Sequence, residues 1–81
     1  MKIHDLKLNN KYYRDVAIGV KNFEIRYNDR DYQVGDMLKL QEWDGEKFTG
    51  KYCYRMVTYI LPCEEFDDWK NLKGYVVMSI E

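Results

Sequence analysis

Gly19-Val20-Lys21-Asn22-Phe23-Glu24-Ile25-Arg26-Tyr27-Asn28-Asp29-Arg30 combines a helix stop, a strand and the start of a turn. After Lys21, the residues Phe23, Ile25 and Tyr27 alternate with Asn22, Glu24 and Arg26. That is the period of a strand packed on one side. The pattern predicts Phe23 and Ile25 in the core, with Glu24 and Arg26 sharing the outward face. Gly19 ends what precedes it, because glycine accepts the positive φ that closes a helix. Asn28-Asp29-Arg30-Asp31 follows as a polar turn.

Upstream, Tyr12, Tyr13, Val16 and Ala17 recur at three- and four-residue spacings, which predicts an amphipathic helix over residues 11–18. Asn9 or Asn10 can cap it. Before it, residues 3–8 read as a short strand with Leu6 and Leu8 on one face. Downstream, Val34-Gly35-Asp36 is a second turn. Met37-Leu38-Lys39-Leu40-Gln41-Glu42-Trp43 is a strand with Leu38 and Leu40 inward and Glu42 on their side. Asp44-Gly45 signals a hairpin, lengthened by Glu46 and Lys47. A long strand follows over about residues 49–60, with Gly50 a bulge. Residues 61–73 hold the only proline and read as a loop with one helical turn, and residues 75–80 form a last strand. Five strands, one early helix and no βαβ rhythm predict an α+β, mostly β fold. Its sheet is expected to be strongly curved or barrel-like and mostly antiparallel.

Eighty-one residues, 46% of them apolar, specify one globular domain with a modest core. No apolar run approaches the roughly 20 residues of a membrane span, and residues 1–5 lack the apolar stretch of a secretory signal. A cytoplasmic protein is expected. Cys53 and Cys63 form no C-x-x-C pair, so two buried free thiols are expected, with no metal and no cofactor. A net charge of −1 argues against a protein that holds long nucleic acid mainly by neutralising phosphates. The charge is uneven, however. Residues 1–30 carry seven Lys or Arg against four Asp or Glu, so a local anion-binding face is compatible with a repelling remainder.

Gly19, Lys21, Glu24 and Arg26 match the G-x-K-x-x-E-x-R signature of ASCH domains, placed after a helix and on a strand. His4-Asp5-Leu6-Lys7, Asn28-Asp29-Arg30-Asp31, Val34-Gly35-Asp36 and Gly74-Tyr75-Val76-Val77 resemble a small, often phage-encoded branch of that superfamily. The resemblance implies a PUA-like five-stranded barrel with a cleft beside the signature, and it implies RNA binding.

The residues supply a physical rationale for that function. A guanidinium at Arg26 donates in a planar fork to phosphate or a base edge, while a carboxylate at Glu24 accepts from amino or hydroxyl groups. Lys21 has the wrong parity for that face and must reach the cleft from the turn after Gly19. The expected ligand-binding set is Lys21, Glu24, Arg26, Asn28, Asp29 and Arg30, with His4 added by the resemblance. The alternative readings are an exposed ion pair for Glu24 and Arg26, plain turn formers for Asn28, Asp29 and Asp31, and a structural role for His4. Trp43, Tyr52, Tyr54 and Trp69 are the better placed of the many aromatic residues for stacking on bases, although packing is the commoner use of each.

One ASCH branch hydrolyses amide bonds on modified nucleosides with a lysine of this signature, a threonine and a glutamate. Lys21 is present, but Glu24 stands where that branch has the hydroxyl. If the chain is an enzyme, Lys21 and Glu42 would carry the chemistry. The expected partner is RNA or a nucleotide-like molecule, with no membrane. A second option is an acidic 64–68 loop that contacts another protein.

Overall fold

The computed structural model describes residues 1–81. The elements are β1 (Ile3–Asn9), α1 (Asn10–Ala17), β2 (Phe23–Tyr27), β3 (Met37–Trp43), β4 (Phe48–Pro62) and β5 (Tyr75–Ile80). The expected α+β, mostly β architecture is present: five strands, one early helix, and two 3-10 turns, Cys63–Glu65 and Asp67–Leu72, before the last strand.

The strands run in the order β1-β3-β4-β5-β2. All neighbours are antiparallel except β1 and β3, which are parallel from Ile3 opposite Met37 to Asn9 opposite Trp43. β4 serves both halves of the sheet, and a register shift between Val57 and Tyr59 turns it from β3 toward β5. A second irregularity falls where Trp43 faces Phe48 but Gln41 faces Tyr52. Gly50 lies in this bulge at φ 94°, as expected. The ladder is not closed into a barrel. β1 and β2 are the two edges, and no backbone pairing joins them.

The core follows the strand alternation. Leu6 and Leu8 of β1, Leu38 and Leu40 of β3, Val57 of β4, and Val76, Met78 and Ile80 of β5 meet Tyr13 and Val16 of α1. Asn9 caps the helix, its Oδ1 accepting from the Lys11 amide at 2.8 Å. Gly19 leaves it at φ 85°. Arg55 reaches across from β4 and donates to the Val16 and Ala17 carbonyls at 2.8 and 3.0 Å. These are the last carbonyls of α1, which have no partner within the helix. Tyr12, expected on the apolar stripe, is instead 43% exposed. The cysteines are free, Cys63 buried and Cys53 half-buried.

β2 reverses the expected parity. Phe23, Ile25 and Tyr27 face outward, and Glu24 is 3% exposed. The register explains it. Glu24 and Arg26 stand opposite Met78 and Val76, the inward residues of β5, whereas Ile25 and Tyr27 stand opposite Val77 and Tyr75 on the outer face. Because the side-chain period is two, the partner strand fixes which face each residue takes. The inward face of an edge strand here borders the open seam with β1 and not the packed core, so polar residues belong there.

Gly74 closes the turn into β5 at φ 85°, and a Cβ there would lie 2.7 Å from Tyr27 Cε1. The Tyr27 ring is exposed and can move aside, so backbone strain dominates. Gly74→Ala is expected to lower stability by about 1–3 kcal/mol, read from the urea midpoint, the usual cost of a left-handed non-glycine residue.

Candidate functional site

The open seam between β1 and β2 holds the site. Four residues after the end of α1, Lys21 is placed so that Nζ donates to the Phe23 carbonyl and to Glu24 Oε1, both at 2.8 Å. Arg26 Nε donates to Glu24 Oε2 at 3.0 Å, and its Nη2 crosses the seam to the Lys7 carbonyl at 2.9 Å. Arg30 repeats the crossing one step along, donating to the Asp5 carbonyl at 2.9 Å. Two guanidinium groups therefore satisfy carbonyls of an edge strand that has no backbone partner on this side.

Beside this stitching lies a cleft of about 500 Å³. Lys7, Leu8 and Tyr12 line one side of the seam, and Lys21, Phe23, Glu24 and Arg26 the other. Two cations, Lys21 and Arg26, meet the one carboxylate, and Lys7 borders the same space. Both Glu24 oxygens are engaged, whereas the ammonium and guanidinium retain N–H donors without a protein partner. The Lys21 Nζ also lies 4.7 Å from the Phe23 ring centre. A smaller cavity of about 190 Å³ on the far side of Arg26 is bordered by Asp29, Arg30 and Tyr32. The Arg30–Asp29 approach there, 4.0 Å between exposed groups, contributes little.

The structure brings Lys21, Glu24 and Arg26 together, and Lys21 arrives from the turn as its parity required. Glu24 is not on an outward face: it is buried beneath the two cations. Asp29 and Arg30 border the smaller cavity. Asn28 borders neither; its Oδ1 accepts from the Tyr32 amide at 2.9 Å, which is turn formation. Asp31 has a φ of 51° and binds the Gln33 side chain, again a turn role.

His4 also lies away from both cavities. Its buried ring packs edge-on against Tyr32, and Nε2 is 2.8 Å from Asp36 Oδ2. Asp36 further accepts from the Lys2 and Gln33 amides, each at 3.0 Å. The hydrogen bond from His4, then that from the Lys2 amide, hold its carboxyl at about 2 against the opposing effect of burial. Glu42 is half-buried on β3 and accepts from the Thr49 hydroxyl at 2.7 Å, but does not line the Lys21 cleft. Burial pushes the Tyr32 hydroxyl and the Cys53 thiol above their ordinary values, which leaves the thiol un-ionised near neutrality.

Lys7 and Tyr12 are cleft residues that the sequence did not single out. Lys7 sits at an exposed position of β1, and Tyr12 carries the periodicity of a core residue, so neither had a local signal.

The fold and site define a small β-rich domain with a cationic cleft at an open sheet seam. The chain belongs to the family described as a domain of unknown function, DUF3850, whose model matches residues 3–80. It is similar to an uncharacterised 12.9 kDa protein in the GpA 3′ region of Escherichia phage P2, 39% identical over 77 residues. The match covers 95% of this chain and 66% of that relative, slightly less than two thirds of its length. No helix of the chain is long and apolar enough to cross a membrane.

Proposed function

We propose that this domain is a noncatalytic, ASCH-type module of the cytoplasm that recognises RNA or a nucleotide-like ligand in the seam cleft. The observation that carries the reading is the buried Glu24, which orients Lys21 and Arg26 side by side and leaves both with free donors at the cleft. A phosphate or a base edge supplies the acceptors they lack. The Tyr12 and Phe23 rings border the same space and offer apolar surface for a base or sugar. Glu24 is a positioning residue in this scheme, since its own acceptor capacity is already used.

Hydrolysis of an acylated nucleoside has less support. The Lys21 ammonium is a donor to two acceptors, one of them a carboxylate, whereas a nucleophilic amine needs a free lone pair. Glu42 is committed to Thr49 elsewhere. The acidic 64–68 loop is exposed, but nothing about it specifies a partner.

Titration with uridine 5′-monophosphate, followed by amide chemical shifts, tests the cleft directly. Shifts are expected at Lys7, Tyr12, Lys21 and Arg26, and Arg26→Ala is expected to weaken binding about tenfold or more, the range of a charge-assisted contact. Unchanged spectra at millimolar nucleotide and low salt would sink the reading.

A further inference from the structure

We propose that the outer face of β1, β3 and β4 is a stacking platform for single-stranded nucleic acid, continuous with the seam cleft; this rests on the nucleotide reading of that cleft. The strand registers set four rows across this face: Ile3, Met37 and Met56; Asp5, Lys39 and Tyr54; Lys7, Gln41 and Tyr52; Asn9, Trp43 and Phe48. Tyr52 and Tyr54 are 53% and 45% exposed, and their rings meet edge-to-face at 5.8 Å. Trp43 and Phe48 form a second such pair at 5.0 Å. None of these rings belongs to the core cluster.

Charge distinguishes this face from the other exposed apolar one. On the outer side of β2, β5 and β4, Phe23, Ile25, Tyr27, Tyr59 and Tyr75 stand without a charged residue in register, and the cation near one of these rings is the cleft's own Lys21, beside Phe23. On the platform, lysines are interleaved with rings: Lys7 Nζ lies 3.9 Å from the Trp43 ring centre and Lys39 Nζ 4.6 Å from that of Tyr52. Asp5, the one carboxylate in these rows, lies in register beside Lys39. Rings offer stacking to any base, and ammonium groups offer charge to the backbone between bases. An uncharged protein surface would have no use for those cations.

Lys7 provides the continuity, because it lines the cleft and covers Trp43. The tyrosines lie two strand spacings from β1, about 10 Å. A ligand that touches both regions is therefore an oligonucleotide, with one nucleotide in the cleft and its neighbours on the rings.

Fluorescence anisotropy with fluorescein-labelled octauridine, set beside the monophosphate titration, separates the two sites. The double variant Tyr52→Ala/Tyr54→Ala is expected to weaken octauridine binding about 10- to 100-fold. It should leave the monophosphate shifts in the cleft intact. Tyr52→Phe/Tyr54→Phe should bind as the wild type does, because it keeps the rings, and thermal melts verify folding of both variants. Undiminished octauridine affinity in the alanine variant overturns the platform. So would a dimer that the alanine pair converts to monomer without altering octauridine binding, which would assign the face to a second copy. Tyrosine-dependent octauridine binding with no monophosphate binding would instead keep the platform and reject the cleft.

Discussion

Asp36→Ala is expected to remove about 3–5 kcal/mol of folding stability, the cost of stripping one partner from a buried charged cluster. For a domain of this length that approaches the whole margin, which runs at roughly 0.05–0.15 kcal/mol per residue. The carboxylate is 3% exposed and accepts from the Lys2 amide, the Gln33 amide and the His4 ring. The alanine leaves the buried His4 ring and the Lys2 and Gln33 amides without their acceptor. It also loosens the turn before β3, where the Asp36 backbone accepts from Val57 at 2.8 Å and donates to Gln33 at 3.0 Å.

The same residue sets an acid limit. Its folded value of about 2 lies below the ordinary 3.8, so its contribution is complete above about pH 4 and disappears as pH falls through 2. Urea midpoints measured from pH 7 to pH 2 should therefore decline in that window for the wild type. Asp36→Asn should begin lower and decline less there. A wild-type profile with no greater loss below pH 4 than the variant shows would remove Asp36 from this role.

Much of this architecture was legible because local chemistry and global packing agree. Leu38 and Leu40 read as inward and are inward, since β3 is central and one period-two pattern describes it. Asn9, Gly19 and Gly50 each carry a backbone preference that no distant contact needs to supply. β2 failed for the opposite reason. Its apolar residues outnumber those on its other face in hydrophobicity, yet β5 dictates its register, and the sheet leaves that edge beside a polar seam. Parity alone cannot distinguish a core from a seam. The closure by Arg26 and Arg30 was similarly hidden, because it joins side chains on one edge to carbonyls on the other across an order, β1-β3-β4-β5-β2, that periodicity does not contain. His4 shows the remaining gap: its value lies in Asp36, 32 residues away, and no spacing announces that pair.

Glu24 gives the second large effect, and its two substitutions should diverge. Glu24→Leu removes the acceptor from Lys21 and Arg26 together. Both side chains are partly exposed, at 19% and 22%, so water recovers some of the lost interaction. The expected loss is about 2–4 kcal/mol, below the full penalty for stranding a buried charge. With the floor of the cleft gone, Arg26 is freed from its crossing to Lys7, and nucleotide affinity should fall with stability. Glu24→Gln keeps the size and one acceptor oxygen while removing the only negative charge at the cleft. Stability should then drop by about 1–2 kcal/mol, yet uridine monophosphate should bind about 3- to 10-fold tighter, since a phosphate no longer faces a carboxylate. The gain should shrink as salt rises, because the cleft is open to solvent and mobile ions there screen the field that Glu24 presents to the phosphate. Isothermal titration at two ionic strengths, paired with urea melts, measures both quantities. If the glutamine variant instead loses affinity as severely as Arg26→Ala does, Glu24 contacts the ligand itself, and its burial beneath the two cations must open on binding.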